Sequence, residues 1–221
     1  MPASAQPFDH LAETRRSIRH YLPTPVPRGV IAELIAAAHT APSNFNRQPW
    51  HFLVADSPAW RDAIAQLILR GISQCEARDT DRGVTNILSH IRLWAEPLAQ
   101  SPVLILAFYR PSPELVDDRI GALLDVNADT SAYNPNLLSL GMALQNLLLA
   151  AHERGLGTCV HSGPLPFLRP LVNRLLNLPV RLQLAAVVSL GYPNETPHPM
   201  QRRDVARVMA WLDEPVPAEL R

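Results

Sequence analysis

The sequence contains no lysine, and all 20 of its basic residues are arginine. This absence excludes mechanisms that need a lysine amine, among them the pyridoxal-phosphate Schiff base and the phosphate-binding lysine of a Walker A loop. The arginines are balanced by 20 acidic residues, so the net charge is zero. Proteins that bind nucleic acid usually carry an overall basic surface, and we therefore predict no nucleic-acid partner.

Cysteines and long hydrophobic runs are also scarce. The two cysteines, Cys75 and Cys159, form neither a CxxC pair nor a metal-ligand cluster, so we predict no disulfide framework and a reducing, cytoplasmic location. The longest apolar runs, such as residues 103–109, are far shorter than the ~20 residues of a membrane span. The first ten residues lack the basic and apolar regions of a signal peptide. We expect no membrane partner.

Familiar catalytic motifs are absent as well. The eight histidines are scattered, and the sequence has no HExxH, GxSxG or GxGxxG motif. Gly155 and Gly157 follow a predicted helix instead of opening one, which argues against a Rossmann dinucleotide loop. No metal site is predicted, and His152 at the end of that helix is interpreted as a structural residue.

The pattern of apolar residues and chain breakers predicts a single α+β domain over residues 1–221. Ser57 is expected to cap a helix that begins at Pro58, and Gly155 is expected to end another. The predicted helices cover residues 30–39, 58–70, 137–154, 166–176 and 203–212. The predicted strands cover residues 51–55, 103–109, 157–161 and 183–190. Residues 71–100 are ambiguous, with a helix most favoured over 85–94, and residues 110–136 show no clear period.

Arginines are concentrated at both ends of the chain. Arg15, Arg16 and Arg19 place three guanidinium groups around the hydroxyl of Ser17, and a second pair, Arg202 and Arg203, precedes the last predicted helix. Guanidinium forks beside a hydroxyl suit a phosphate monoester. A solvated arginine-rich face is the alternative interpretation of the same residues.

A polar loop between residues 42 and 49 is rich in amides. Asn44, Asn46 and Gln48 each carry a side chain that both donates and accepts hydrogen bonds. Such side chains suit the edge of a heteroaromatic ring, which presents mixed donors and acceptors. A simple proline and asparagine turn is the commoner use of these residues.

The order of these segments closely resembles the nitroreductase family. RRSIR, a proline-containing connector, an amphipathic helix and APSNFNRQPW resemble the family's N-terminal signature, while LGMALQNLLLAAHERGLGTC is similar to its long central helix and glycine turn. VVSLGYP followed by an arginine resembles its closing segment. The resemblance implies an α+β fold with a mixed sheet flanked by helices, in an intertwined homodimer with FMN at the interface.

The resemblance also implies roles for individual residues. The FMN phosphate and ribityl end would be held by Arg15, Arg16, Ser17, Arg19, Arg202 and Arg203. The flavin of the partner subunit would be approached by Pro42, Ser43, Asn44, Asn46 and Gln48. The turn at Ser162 and Gly163 would direct backbone N–H groups at flavin N5 and O4. His161 is a candidate proton donor, and a histidine packed within its strand is the favoured alternative.

A bound flavin carries the redox chemistry itself, so the protein needs only to orient it and shape the pocket. The implied reaction is a ping-pong cycle in which NAD(P)H reduces FMN, which then passes two electrons to a nitroaromatic, a quinone or a related small-molecule acceptor. The family often places a lysine beside the flavin, and here an arginine must take its place. Two alternatives stay open: an oxidative relative that desaturates a small molecule with O2, and a flavin-binding protein without turnover.

Overall fold

The computed structural model describes residues 7–78, 81–111, 134–176, 178, 181–197 and 200–211. Within these residues the chain forms six α-helices and four β-strands, together with 3-10 turns at Asn44–Asn46 and Val205–Arg207. The helices are α1 (Phe8–Thr14), α2 (Arg28–His39), α3 (Pro58–Glu76), α4 (Arg82–Gln100), α5 (Pro135–Glu153) and α6 (Leu165–Leu175). The strands are β1 (Trp50–Ala55), β2 (Val103–Tyr109), β3 (Gly157–His161) and β4 (Gln183–Gly191).

The four strands form one sheet in the order β1-β2-β4-β3, and each of the three neighbouring pairs is antiparallel. A parallel component is present at the β3 edge, where Ser17 forms a single-residue bridge with Thr158. The predicted α+β class is therefore confirmed. The strand-to-strand ladders are antiparallel, and within the described residues the sheet is mixed only through this bridge.

Both faces of the sheet are covered by helices. Along β2, Val103, Ile105 and Ala107 belong to a core shared with α2 and α5. The alternate residues Leu104, Leu106 and Phe108 belong to a second core shared with α3, α4 and α6. Because successive side chains of a strand point to opposite faces, a strand between two helical layers must be apolar at every position, and all seven residues of β2 are buried.

The ends of the long helices follow the sequence signals. The Ser57 hydroxyl accepts a hydrogen bond from the Trp60 N–H at 3.5 Å, as predicted for the N-cap of α3. At the end of α5, Gly155 has a φ of +71°, a conformation that glycine adopts without a Cβ penalty. The N–H groups of Gly155 and Leu156 donate to the carbonyls of His152 and Ala151, at 3.0 and 2.9 Å. This pair of bonds is a Schellman motif, and it ends the helix where predicted.

Three predictions need correction. The helix predicted over 203–212 is wrong, because residues 200–211 contain only the turn Val205–Arg207 and are exposed throughout; Leu212 lies outside the described residues. The helix that starts at Pro58 continues to Glu76, and the 85–94 helix is part of the longer α4. Helix α1 was not predicted. Much of the irregular segment 110–136 lies outside the described residues.

No helix in the described part of the chain is long and apolar enough to cross a membrane.

Candidate functional site

The arginine-rich segment that follows α1 lies along the outer edge of β3. Ile18 donates its backbone N–H to the carbonyl of Thr158 at 2.9 Å, next to the Ser17 bridge. A Cβ on Gly157 would lie 2.7 Å from the Cβ of Ile18, so only a residue without a side chain allows this approach. The backbone of residues 15–19 is therefore held against the start of β3.

Positive charges converge on this segment. The pKa of Arg15 lies below its ordinary value, first because the guanidinium is partly buried and then because the charges of Arg202 and Arg16 are close. Among the described residues, Arg15 has no carboxylate partner in an ion pair. Arg202 is more than 180 residues away in sequence, and the fold brings its charge close to Arg15. The result is a cationic site in which no described acidic residue forms an ion pair with Arg15.

The other arginines of the set have different surroundings. Arg16 donates from Nη1 to the carbonyls of Glu13 and Arg15, the latter at 2.9 Å, and so caps the end of α1. Arg19 donates from Nη1 to the carbonyl of Ser17 at 3.4 Å. Arg203 is exposed, and no hydrogen bond or ion pair within the described residues joins it to the cluster. The structure therefore brings together Arg15, Arg16, Ser17, Arg19 and Arg202.

Glu195 is a residue of this region that the sequence did not indicate. Its carboxylate accepts hydrogen bonds from the backbone N–H groups of Arg19 and His20, the latter at 3.1 Å. These bonds tie the segment after β4 to the arginine segment. A single glutamate in a loop carries no sequence pattern that could have revealed this contact.

The amide loop has a folded and strained backbone. The Ser43 hydroxyl accepts from the Gln48 N–H at 2.9 Å, and the Gln48 side-chain amide donates to Asn46 Oδ1 at 3.0 Å. Phe45, Asn46 and Gln48 have φ values of 50°, 53° and 46°. Left-handed backbone at a phenylalanine and a glutamine is unfavourable, and such strain is concentrated at functional sites. Pro42, directly before the loop, is exposed.

The amide loop and the arginine cluster lie at opposite ends of α5. The Asn44 N–H donates to the Ser139 hydroxyl at 3.1 Å, near the start of the helix. The Thr14 hydroxyl, next to Arg15, forms a hydrogen bond of 2.8 Å with His152 Nε2, near the end of α5. The two helix positions are about 20 Å apart at 1.5 Å per residue. The structure of one chain therefore does not bring the loop onto the cluster, although both carry groups expected at the same cofactor.

The turn at Ser162 and Gly163 follows β3 and is exposed. The other end of β3 contacts the arginine segment through Thr158. From Thr158 to Ser162 the strand spans about 13 Å at 3.3 Å per residue. The arginine segment and the turn therefore lie at opposite ends of β3, about one extended small molecule apart.

Three polar side chains, Tyr21, Ser189 and His161, form a largely buried series of hydrogen bonds beside this strand. The Tyr21 hydroxyl contacts the Ser189 hydroxyl at 2.8 Å, and Ser189 contacts His161 Nε2 at 2.9 Å. Burial lowers the pKa of His161 to about 4, with a smaller effect from the charge of Arg19, so the imidazole is neutral at pH 7. A doubly protonated His161 is therefore not the resting state. The sequence indicated His161 but neither Tyr21 nor Ser189, because their proximity depends on the pairing of β3 with β4.

Cys159 lies beside the arginine segment and is buried. Its burial raises the pKa of the thiol, which outweighs the opposing effects of Arg19, Ser17 and Arg15, so the thiol is protonated at neutral pH. Both cysteines are free. Within the described residues no group of three or more histidine, cysteine, aspartate or glutamate side chains could hold a metal ion.

A cavity of about 500 Å³ opens beside the amide loop. Arg47 and Gln48 line one side, and Arg110 and the buried Asn136 line the other. Among the described residues its wall includes two arginines and no acidic residue. The cavity is large enough for a small aromatic molecule.

The sequence matches the family model described as Nitroreductase family over residues 12–192. A 5,6-dimethylbenzimidazole synthase from Rhodospirillum rubrum is 30% identical over 200 residues, which covers 90% of this chain and 87% of the relative. An NADH dehydrogenase from Thermus thermophilus is 30% identical over 204 residues, which covers 89% of this chain and 92% of the relative.

Solved structures show the same fold. A BluB-like flavoprotein from Clostridium difficile 630 superposes with a TM-score of 0.80 at 23% identity, over 94% of this chain and 100% of that chain. An oxidized iodotyrosine deiodinase bound to FMN and 3-iodo-L-tyrosine superposes with a TM-score of 0.68 at 23% identity, over 93% of this chain and 98% of that chain. At these identities the likeness establishes the architecture.

Proposed function

Because this chain belongs to the nitroreductase family, we propose that it is an FMN-dependent oxidoreductase that accepts electrons from NAD(P)H and passes them to a small organic acceptor. The observation that carries the proposal is the convergence of Arg15 and Arg202, with no acidic residue of the described ranges in an ion pair with Arg15. A phosphate monoester would supply the missing negative charge. One solved neighbour holds FMN, which agrees with this choice of ligand.

The donor set fits the phosphate end of FMN. Arg15, Arg202 and the Ser17 hydroxyl would provide charge-assisted hydrogen bonds, which are the stronger kind. Arg19 would serve the ribityl end, with Arg16 and Arg203 as further candidates. The partly buried position of Arg15 strengthens its interaction with an anion, because the surroundings screen charge less than bulk water does.

The ring end would lie at the turn after β3. Backbone N–H groups at Ser162 and Gly163 would face the ring, where a fixed donor stabilises negative charge that develops on reduction. FMN, when bound, supplies the two-electron chemistry, so no catalytic triad or metal is needed from the protein. The side chains of this chain bind, orient and exclude water.

The amide loop would act on the flavin of a second subunit. Its distance of about 20 Å from the arginine cluster along α5 supports this arrangement, and so does the exposed apolar surface of a single chain. Leu138 on α5 is 59% exposed, and Trp211 in the C-terminal segment is 75% exposed. We therefore propose a homodimer in which Pro42, Ser43, Asn44, Asn46 and Gln48 complete the partner's site. The cavity beside this loop would receive the electron acceptor.

The test is the absorbance spectrum of the purified protein, followed by anaerobic addition of NADPH or NADH. We expect a yellow protein that releases FMN, and not FAD, on acid precipitation and whose flavin bleaches rapidly with a nicotinamide nucleotide. A colourless protein that does not bind added FMN would refute the proposal. Bound flavin that neither nucleotide reduces would favour the oxidative alternative, an enzyme that desaturates a small molecule with O2. The similarity to a 5,6-dimethylbenzimidazole synthase is the reason to retain this alternative.

A further inference from the structure

The hydrogen bonds around Ser189 determine which nitrogen of His161 carries its proton. Tyr21 has one hydroxyl proton, and that hydroxyl contacts both the carbonyl of Ile18 and the Ser189 hydroxyl. A carbonyl oxygen only accepts, so Tyr21 must donate to Ile18. Toward Ser189, the Tyr21 oxygen is then an acceptor.

Ser189 consequently has no proton left for His161. The contact of 2.8 Å between the two hydroxyls needs a proton, and Tyr21 has already donated its own, so Ser189 donates its single proton to the Tyr21 oxygen. The carbonyl of Cys159, at 3.4 Å, is the weaker contact of the same hydroxyl. The contact of 2.9 Å between Ser189 and His161 Nε2 must therefore be donated by the imidazole. A neutral imidazole carries one N–H, so the proton lies on Nε2 and the lone pair lies on Nδ1.

The Nδ1 atom is the second hydrogen-bonding position of the His161 ring. It has no hydrogen-bond partner in the described part of the chain, where Nε2 makes the bond to Ser189. Within that same part, Arg61 Nε and Asn136 Oδ1 are the fully buried side-chain atoms that lack a partner. Nδ1 is not among them, so part of its surface is exposed, although His161 as a whole is only 8% exposed. It lies one residue before the exposed turn at Ser162.

We propose that Tyr21 and Ser189 hold His161 in the Nε2–H tautomer, so that Nδ1 accepts a hydrogen bond from an O–H or N–H group in the ribityl or ring portion of the bound flavin. His161 is thus a ligand-binding acceptor, while Ser189 and Tyr21 are positioning residues that act through it. The proposal rests on the proposed function for the identity of the ligand. The tautomer itself is a property of the protein without any cofactor.

The first experiment measures the tautomer in the apo-protein. Histidine-selective ¹⁵N labelling, with the His161 signals assigned by their loss in His161→Gln, distinguishes a protonated ring nitrogen from an unprotonated one. We expect protonated Nε2 and unprotonated Nδ1 in the wild type and in Ser101→Ala, and a mixture of tautomers in Ser189→Ala. Ser101 is the matched control, because it is also a buried serine but donates to the carbonyl of Pro97. A wild-type protein with its proton on Nδ1 would overturn the proposal.

The second experiment measures flavin affinity by fluorescence titration. Glutamine at position 161 retains an amide donor for Ser189 but has no acceptor at the place of Nδ1, so His161→Gln should weaken binding about 3- to 10-fold, the usual effect of one hydrogen bond. The loss should be equal for FMN and riboflavin, because the contact does not involve the phosphate. Arg15→Gln should weaken binding of FMN and leave riboflavin unchanged.

The results separate the two proposals. Wild-type affinity in His161→Gln would overturn the Nδ1 contact while the proposed function stands. A loss confined to FMN would also overturn it, because it would place the contact at the phosphate. A wild-type protein that binds neither flavin would overturn the proposed function and the flavin contact together, and the tautomer measured in the apo-protein would still be decided independently.

Discussion

Ile18 packs directly against Gly157, at the point where the arginine segment meets β3, so that a Cβ on Gly157 would lie 2.7 Å from the Cβ of Ile18. The atom it would meet is a branched carbon close to the backbone and not the end of a flexible side chain, so it cannot move aside without shifting residues 17 and 18. Gly157 is therefore needed to keep the arginine segment in its place.

Gly157→Ala is expected to destabilise the protein by about 1–3 kcal/mol, the usual cost of overpacking a filled site, and to weaken FMN binding by displacing the arginine segment. Gly29→Ala is the matched control, because a Cβ at position 29 meets nothing within 4 Å. This variant should be as stable as the wild type or more stable by up to about 1 kcal/mol, since alanine has a higher helix propensity than glycine in the first turn of α2. Urea unfolding and FMN titration measure both effects. Equal behaviour of the two variants would show that the Ile18 contact does not position the segment.

Arg15→Gln is expected to weaken FMN binding by roughly 10- to 150-fold, which corresponds to the loss of about 1.5–3 kcal/mol from a charge-assisted contact. The apo-protein should be as stable as the wild type or more so, because the substitution removes a partly buried charge beside Arg16 and Arg202. Arg28→Gln is the control, since Arg28 forms an exposed pair with Asp56 at 2.6 Å, away from the cluster. A parallel loss of stability and affinity would contradict the assignment.

The stability of the apo-protein should fall between pH 6.5 and pH 4. The pKa of His161 is lowered from 6.5 to about 4 by burial, so between these values the unfolded chain binds a proton that the folded chain does not. The contribution of neutral His161 to the free energy of unfolding is fully present above pH 6.5. It decreases by about 2–3 kcal/mol as the pH falls to 4. Urea unfolding of the wild type and His161→Gln at pH 7 and pH 4.5 gives the difference. Identical pH dependence in the two proteins would mean that His161 is not buried as described.

Leu138→Asp is expected to weaken the proposed dimer, because Leu138 is 59% exposed on α5 and a charge there would have to be buried without a partner. Leu93→Asp is the control, since Leu93 is 62% exposed on α4, which packs on the other face of the sheet. Analytical ultracentrifugation at low micromolar concentration measures the association. A wild-type monomer that binds FMN and turns over NAD(P)H would show that the amide loop serves its own chain.

Phe45→Asn should stabilise the fold by up to about 1 kcal/mol, because asparagine tolerates a left-handed backbone better than phenylalanine does. Phe45 has φ 50° and ψ 30°, and its side chain is 84% exposed, so packing does not offset this strain. If the strain serves the cofactor site, the variant should turn over the acceptor more slowly. Thermal unfolding and steady-state kinetics test the two expectations, and greater stability with unchanged activity would show that the strained turn is not part of the site.

Local signals in the sequence were sufficient for most elements of the fold. Ser57 and Pro58 predicted the start of α3, Gly155 predicted the end of α5, and the uninterrupted apolar run 103–109 predicted β2. Each of these features, a helix cap, a left-handed residue and a strand buried on both faces, depends on the residue types at a few neighbouring positions. The helix predicted over 203–212 failed for the opposite reason. A short segment forms a stable helix only when it packs against something, and residues 200–211 are exposed in a single chain.

The sequence by itself determined the α+β class, the family, and the residue types that could bind a phosphate and a ring. The tertiary structure decided which of these residues meet. It brought Arg202 to Arg15, left Arg203 without a described contact to the cluster, and turned Arg16 toward the carbonyls that end α1. It also assembled Tyr21, Ser189 and His161 from three separate segments. Such contacts depend on strand pairing and register, which are set by the packing of the whole domain, and no short stretch of sequence records them.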